Sequence, residues 1–349
     1  RRRQRQMCIR DSFISVLLFF LGSGIWVALS MIGVSAIGMM LFTSRPVGDA
    51  MATTIWGTSS SWTLTALPLF VWMGEILFRT KLSENLFKGL SPWMQKLPGG
   101  LIHVNIVGCA LFAAISGSSA ATVATVGKMS IPELRKRKYP EKILLGSLAG
   151  SGTLGLLIPP SIILIIYGVA VQESIAKLFI AGIIPGIMIA LIFMSYVIIW
   201  SLINKKIMPK ILEEYSFIDK IKRSKQLLPV IILILAVIGS IYTGIATATE
   251  AASLGVLGAL ILSYFQKSLT VETFKSSLLG ATKTSCMIAF ILAGSTFLSL
   301  AMGFTGLPRN LALWIQNMEL SPYVLIFVLM FFYIILGMFL DGISAVVLT

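Results

Sequence analysis

The sequence is poor in the residues on which most enzyme centres are built. His103 is the only histidine, and Cys8, Cys109 and Cys286 form neither a CxxC pair nor a metal-ligand pattern. No GxxxxGK[ST], HExxH or GxSxG motif occurs. These absences argue against a histidine-based metal centre, a catalytic triad and ATP hydrolysis within this chain. The sequence therefore predicts a protein that is not an enzyme and has no cofactor.

Charge is also scarce, because only 12% of the 349 residues are charged whereas 56% are apolar. This composition excludes a soluble domain and predicts an all-α polytopic membrane protein. The net charge of +14 does not indicate nucleic-acid binding. The Lys and Arg residues cluster between apolar segments, as the positive-inside rule expects for cytoplasmic loops of a protein in a lipid bilayer.

The order of apolar and charged segments predicts two halves. We expect residues 1–12 to be a non-native or cytoplasmic leader outside the fold. Residues 13–225 form the first half, which ends in a cytoplasmic loop, and residues 226–349 form the second half. The segments expected within the halves are a first span at 13–42, an amphipathic interfacial helix at 80–97, a re-entrant hairpin at 101–131, a broken helix at 143–171 and a helix capped by Thr249 before Glu250.

The hairpin is predicted from Ser116-Gly117-Ser118-Ser119, which separates two apolar arms. Each arm is shorter than the about 20 residues that a bilayer crossing needs. Small polar residues are poor helix formers, so two half-helices are expected to meet at this tip near mid-depth. Freed carbonyls, hydroxyls and a half-helix N-terminus there suit a small cation and an anionic solute. The alternative is a Ser/Gly-rich kink that only packs helices closely.

A second interruption is predicted at residues 155–161, where the sequence is GLLIPPS. Pro159 and Pro160 lack backbone donors and restrict the residues before them. With Ser161 they favour a true discontinuity that faces the Ser116–Ser119 tip and completes one ion site. A simple proline kink is the alternative.

A shift of 225 positions aligns two parts of the chain. It pairs identical residues at Leu82 and Leu307, Asn85 and Asn310, Gly117 and Gly342, and Ser119 and Ser344, and it places Ser116 on Asp341. The first amphipathic arm has three lysines, whereas the second has only Arg309. This contrast predicts opposite orientations in the membrane, and therefore an inverted repeat.

Asp341 lies deep in the apolar run 323–349. An intramembrane carboxylate marks a functional site by default. It would either bind a cation or cap a half-helix, and both roles stay open. By the shift of 225, the chain is expected to stop within its second hairpin.

Several motifs in this order resemble the DctM-like large permease subunit of tripartite ATP-independent periplasmic (TRAP) transporters. They are LPLFVWMGE from Leu67, LPGG from Leu97, LFAAISGSS from Leu111, GLLIPPS from Gly155, KLFIAGIIPG from Lys177 and ATEAA from Ala248. The resemblance implies an inverted-repeat, elevator-type transporter with two re-entrant hairpins in a bacterial inner membrane. It also implies sodium coupling, a small DctQ-like membrane subunit and a periplasmic DctP-like binding protein that delivers an organic acid anion, such as a C4-dicarboxylate or sialic acid.

The hypothesis assigns ion and substrate binding to three groups of residues. They are Ser116, Gly117, Ser118, Ser119 and Thr122 at the first tip; Gly152, Thr153, Pro159, Pro160 and Ser161 at the broken helix; and Asp341, Gly342 and Ser344 at the second tip. Sodium is expected on Ser116, Ser118, Ser119 and Asp341. The alternative is a stand-alone sodium- or proton-coupled anion carrier of the same fold. An intramembrane hydrolase would need a second deep carboxylate, and a purely scaffolding subunit would need no broken hairpins.

Overall fold

The computed structural model describes residues 2–79, 82–209, 215–225, 227–339 and 342–348, and all its regular elements are helical. In chain order the helices are α1 (Arg2–Gly22), α2 (Val27–Phe42), α3 (Val47–Ser59), α4 (Ala66–Phe78), α5 (Leu82–Met94), α6 (Ile102–Ser116), α7 (Ser119–Lys136), α8 (Glu141–Gly152), α9 (Ile162–Val171), α10 (Ile175–Ile203), α11 (Phe217–Ser224), α12 (Leu228–Tyr242), α13 (Ala248–Phe265), α14 (Val271–Thr305), α15 (Leu307–Gln316), α16 (Pro322–Phe339) and α17 (Gly342–Leu348). Short 3-10 turns lie at Trp62–Thr65 and Thr153–Leu156. The predicted all-α class is confirmed.

Three of the described helices, α10, α13 and α14, are long and apolar enough to cross a membrane by themselves. The count rises to as many as five if each of two pairs of consecutive helices forms one span. The long apolar stretches predicted from composition are therefore present as helices, with lengths that suit a polytopic membrane protein.

The chain divides into two compact units. The terminal unit holds the residues up to Leu64 and from Cys286 onward, and the central unit is Thr65–Ser285. In the terminal unit α1 packs against α2, with the Phe20 ring over Gly33. Farther along, Gly294 of α14 lies against the backbone of Ala28 in α2. Small residues let these helices approach closely, as they do in membranes.

Helix α6 lies at the centre of the central unit. It contacts α4, α5, α7, α8 and α10, and residues around its whole circumference are buried. With 15 residues it is too short to cross a bilayer. A short helix that is enclosed by protein on all sides keeps its ends away from lipid, which is the condition for a break in the backbone at membrane depth.

The first apolar segment is not the single span that we expected over residues 13–42. The structure has two helices there, α1 and α2, which pack against each other and are separated by residues 23–26. Gly24 has φ +79°, a left-handed conformation that favours glycine, and the Ser23 hydroxyl donates to the carbonyl of Phe20. These two residues end α1 and reverse the chain.

The remaining first-half segments differ from expectation mainly in their ends. The second arm of the hairpin does not stop near residue 131 but continues through Pro132 to Lys136. The segment expected to be a broken helix at 143–171 consists of α8, the 3-10 turn Thr153–Leu156 and α9, with residues 157–161 outside any helix. The interfacial helix expected at 80–97 is α5, and residues 80 and 81 lie outside the described residues.

The order of helices follows the shift of 225 positions. Helix α5 begins at Leu82 and α15 begins at Leu307. In both places an apolar helix precedes the amphipathic one, α4 in the first and α14 in the second, and two further helices follow it, α6 and α7 or α16 and α17. The internal repeat therefore extends from sequence identities to the succession of elements.

The start of α13 corrects the cap predicted at Thr249. The N-cap is Thr247, whose hydroxyl accepts from the amide of Glu250, while the Glu250 carboxylate accepts from the amide and hydroxyl of Thr247. This reciprocal pair is a capping box. Glu250 therefore has the structural role that we expected, on a helix that starts two residues earlier.

Candidate functional site

The tip between α6 and α7 contains only two residues outside the helices. Helix α6 ends at Ser116, and Gly117 takes φ +59°, the left-handed conformation common after a helix C-terminus. Ser118 is extended and caps α7, with its hydroxyl 3.5 Å from the amide of Ala121. The four small residues thus end one helix and start the next, with two residues between the helices.

This tip touches the interruption between α8 and α9 through main-chain atoms. The amide of Ile162 donates to the carbonyl of Gly117 at 3.2 Å. A Cβ on Gly117 would lie 2.6 Å from the Pro160 carbonyl oxygen, and a Cβ on Gly155 would lie 2.9 Å from the carbonyl of Ser118. The two interruptions expected to face each other are therefore in direct contact, and two glycines make that contact close enough.

Hydroxyl groups on the tip converge on one carbonyl oxygen. The Ser118 oxygen accepts from the amide and hydroxyl of Thr122 at 3.0 and 2.7 Å, and from the Ser116 hydroxyl at 3.3 Å. The Ser116 and Thr122 hydroxyls are also 2.9 Å apart. Both side chains are buried, at 5% and 0% exposure. Each hydroxyl oxygen has two lone pairs, so this cluster has acceptor capacity beyond its internal hydrogen bonds.

Four helix ends meet at the same place. Two are C-termini, at Ser116 of α6 and Gly152 of α8, and two are N-termini, at Ser119 of α7 and Ile162 of α9. A Cβ on Gly152 would lie 3.8 Å from the Ser119 carbonyl oxygen, so the α8 end also adjoins the tip. Helix C-termini attract cations and N-termini attract anions. The site therefore has electrostatic partners for both without needing a charged side chain.

Two contributors to this arrangement are absent from the predicted set. Gly74 of α4 packs on the tip, since a Cβ there would lie 3.0 Å from the Ser116 Cα. Gly155 makes the contact with Ser118 described above. Both glycines belong to motifs noted in the sequence, LPLFVWMGE and GLLIPPS. A single glycine in an apolar helix was the available signal, but it does not say which neighbour approaches.

The predicted residues of the broken helix differ in their placement. Pro159, Pro160 and Ser161 are buried beside the tip, and Pro159–Pro160 is a cis peptide bond. The Ser161 hydroxyl donates across the interruption to the carbonyl of Leu156 at 2.5 Å. Thr153, in contrast, is exposed, and its hydroxyl donates to the carbonyl of Gly150 in the last turn of α8. The structure therefore does not bring the Thr153 side chain to the tip.

The predicted second tip belongs to the terminal unit. Asp341 lies outside the described residues, and Gly342 and Ser344 lie in α17. The shift of 225 pairs Gly342 with Gly117 and Ser344 with Ser119. Gly342 and Ser344 thus lie near the start of a helix, and Ser119 likewise starts α7.

Comparison with known proteins gives one family over nearly the whole chain. The family described as "Tripartite ATP-independent periplasmic transporter, DctM component" matches residues 13–349. The match covers every element from the latter part of α1 to the last described helix.

Individual relatives carry the same family name with different substrates. The C4-dicarboxylate TRAP transporter large permease protein DctM of Pseudomonas aeruginosa is 32% identical, over 90% of this chain and 72% of its own length. The sialic acid TRAP transporter large permease protein SiaM of Vibrio cholerae is 31% identical, over 95% of this chain and 77% of its own length. The ectoine/5-hydroxyectoine permease UehC of Ruegeria pomeroyi is 30% identical, over 81% of this chain and 66% of its own length.

Proposed function

Because this chain belongs to the DctM family of TRAP-transporter large permease subunits, we propose that it imports a small organic acid anion together with sodium. It is a multi-pass protein of the bacterial inner membrane and a transporter rather than an enzyme. The proposal extends the family assignment to a coupling ion, a substrate class and a site.

The observation that carries the proposal is the meeting of four helix ends at Ser116–Ser119 and the α8–α9 interruption. Sodium is a hard cation that binds oxygen, and the tip offers hydroxyl and carbonyl oxygens beside two helix C-termini. The amides at the start of α7 would face a carboxylate. A bound cation next to the anion offsets the cost of moving either charge out of water.

The substrate class follows from the names of the relatives. They give a C4-dicarboxylate, sialic acid and ectoine, which bear a carboxylate, and isethionate, which bears a sulfonate, so an anionic oxygen group is what they share. A helix N-terminus recognises a carboxylate without reading the rest of the molecule. We therefore propose that the tip holds the acidic oxygen group of an organic acid, most simply a carboxylate, and that other contacts recognise the remainder of the substrate.

We propose that the hairpin and the broken helix travel together, as an elevator-type mechanism requires. The amide of Ile162 and the carbonyl of Gly117 join them, and Gly155 and Ser118 are in contact. Main-chain contacts of this kind favour movement as one body. A small membrane subunit and a periplasmic binding protein that delivers the anion complete the proposed transporter.

The experiment is uptake into proteoliposomes that contain the full-length permease and its small subunit. Labelled succinate and sialic acid are supplied with the binding protein under an inward sodium gradient. Ser116→Ala and Thr122→Val each remove one hydroxyl from the buried cluster. We expect each change to raise the sodium concentration for half-maximal uptake by about tenfold, which corresponds to about 1.4 kcal/mol of ion binding.

Ser253→Ala is the matched control, because that hydroxyl is exposed on α13 and bonds only within its own helix. It should leave the sodium dependence unchanged. Unaltered sodium dependence in both Ser116→Ala and Thr122→Val would refute the assignment of sodium to this cluster. Uptake that proceeds without the binding protein would instead favour a stand-alone carrier with the same fold.

A further inference from the structure

The hydrophilic loop before α12 folds into a short helix that the transport site does not use. Helix α11 starts at Phe217 and ends at Ser224, and α12 starts four residues later at Leu228. The axes of the two helices differ by 56°. A bend of this size between a charged short helix and an apolar one is the geometry expected where a helix on the cytoplasmic membrane surface leads into a span, and the lysine-rich loops mark this side as cytoplasmic.

Helix α11 is attached to α5 through Trp93. The indole NH of Trp93 donates to the Ser224 hydroxyl at 2.8 Å, and the Phe217 ring meets the indole edge-on with centroids 6.3 Å apart. The Lys220 ammonium lies 5.4 Å from the centre of the same indole. Tryptophan prefers the membrane–water interface. These contacts fix which face of α11 turns away from the protein.

That outward face is apolar. Ile218 and Ile221 are 73% and 45% exposed. They lie three positions apart, on a side of α11 that the Trp93 contacts of Phe217, Lys220 and Ser224 leave exposed. Two large apolar side chains exposed next to each other on a short helix indicate a surface that meets an apolar environment.

The apolar face is bordered by cations. Lys222 follows Ile218 by four residues and Lys225 follows Ile221 by four, so each lysine lies one turn beyond an exposed isoleucine. Both lysines are exposed, and neither forms an ion pair among the described residues. The only carboxylate on the helix is Asp219. Lysine stems cover apolar surface while their ammonium groups reach outward.

We propose that α11 is an anionic-lipid docking surface, which inserts Ile218 and Ile221 into the cytoplasmic leaflet and binds acidic phospholipid headgroups through Lys222 and Lys225. Charge complementarity selects this occupant, because a surface of apolar side chains flanked by lysines matches acyl chains beneath phosphate groups. An acidic segment of a protein partner would match the lysines but leave the isoleucines unexplained.

The test places an environment-sensitive NBD dye on α11 of the full chain, in a background in which Cys8 and Cys286 are replaced by serine. Ile218→Cys puts the dye on the proposed face, and Ser216→Cys puts it on the opposite side. The protein is reconstituted in nanodiscs of phosphatidylcholine with increasing phosphatidylglycerol. We expect a blue shift of the dye emission and quenching by doxyl-labelled lipid at position 218 only, and both signals should depend on phosphatidylglycerol. Salt at 500 mM should weaken both, because the Debye length falls from about 10 Å at 0.1 M salt towards about 3 Å at 1 M.

Lys222→Gln/Lys225→Gln should raise the fraction of phosphatidylglycerol needed for the half-maximal shift several-fold, since each surface lysine changes membrane partitioning by roughly fivefold. Lys205→Gln/Lys206→Gln removes the same charge from an exposed turn outside α11 and should have little effect. An equal shift in pure phosphatidylcholine, or a shift that needs the small membrane subunit, would overturn the proposal. Because no step of the test measures uptake, it stands apart from the proposed transport function.

Discussion

The amide of Ile162 donates a hydrogen bond to the carbonyl of Gly117 at 3.2 Å, and this bond joins the interruption of one helix to the tip of a hairpin. The residues are separated by α7, α8 and a 3-10 turn in the sequence. Both partners belong to the main chain, so their approach depends on what the neighbouring side chains leave free. Glycine at position 117 is the first requirement.

We predict that Gly117→Ala abolishes most uptake and lowers the free energy of unfolding by about 1–3 kcal/mol. Position 117 has φ +59°, and an added Cβ would lie 2.6 Å from the Pro160 carbonyl. Gly117→Asn separates the two causes, because asparagine tolerates the left-handed conformation but carries the same Cβ. We expect both variants to fail in uptake assays and in thermal unfolding in detergent.

Gly146→Ala is the control for this pair, since position 146 is helical and a Cβ there meets no atom within 4 Å. It should behave as the wild type. Recovery of uptake in Gly117→Asn would show that backbone conformation, rather than contact with Pro160, makes glycine necessary at the tip.

Gly155→Ala should separate the tip from the broken helix without imposing a left-handed residue. The new methyl group would press on the carbonyl carbon and oxygen of Ser118 and on the amide of Ser119, each 2.9 Å away. Backbone atoms cannot move aside as a side chain can, so overpacking of about 1–3 kcal/mol is expected. Uptake in proteoliposomes should fall at least tenfold, whereas Gly239→Ala, with open space around it, should retain full uptake. Equal activity of the two variants would contradict the close contact.

Thr247→Ala should destabilise the protein by about 1 kcal/mol, because α13 loses the hydroxyl that caps its first turn. Thr249→Ala is a demanding control, since it changes the same residue type two positions away and leaves the cap intact. The melting temperature in detergent should fall for the first variant only. A larger loss of stability in Thr249→Ala than in Thr247→Ala would instead support Thr249 as the N-cap, as predicted from the sequence.

Tyr139→Phe should cost about 1–3 kcal/mol, because the buried amide of Leu101 would lose the phenol oxygen that accepts its hydrogen bond at 3.0 Å. Tyr167→Phe, at an exposed position, should cost little. Both variants are compared by thermal unfolding at neutral pH.

The same side chain predicts a pH dependence. Burial raises the pKa of the Tyr139 phenol, while the hydrogen bond with Leu101 and the charge of Arg137 lower it in part. A folded pKa above the unfolded value of about 10 means that the unfolded chain loses its proton first. Stability should therefore fall as pH rises above about 10, and Tyr139→Phe should remove that part of the fall. A pH profile identical in both proteins would contradict the shift.

The sequence predicted the helical class, the tip at Ser116–Ser119 and the interruption before α9, because each rests on local chemistry. Small polar residues and adjacent prolines stop helices wherever they occur. The first apolar segment was misjudged for a related reason. Its glycines were taken as positions within one span, although Gly24 adopts a left-handed turn that divides the segment in two.

Contacts between distant segments were predicted only in outline. The two interruptions were predicted to face each other because both were expected near the middle of the membrane. The roles of Gly155 and Gly74 could not be predicted, since they depend on which backbone segment packs against each glycine. Thr153 is the opposite case, since it has a suitable hydroxyl in a suitable segment, yet its side chain is exposed and donates to the Gly150 carbonyl rather than to the tip. Residue type indicates capability, and only the packing of α4, α6 and α8 decides which groups reach the tip.

The junction between the hairpin and the broken helix consists of carbonyls, amides and glycines. Such a junction survives any exchange of the surrounding side chains that adds no bulk at Gly117 or Gly155. The polar side chains nearby can then change to suit a different substrate while the main-chain contact between the two interruptions stays intact. Proteins with the same main-chain junction can in this way differ in the side chains around it, and therefore in substrate, without a change in how the two interruptions pack.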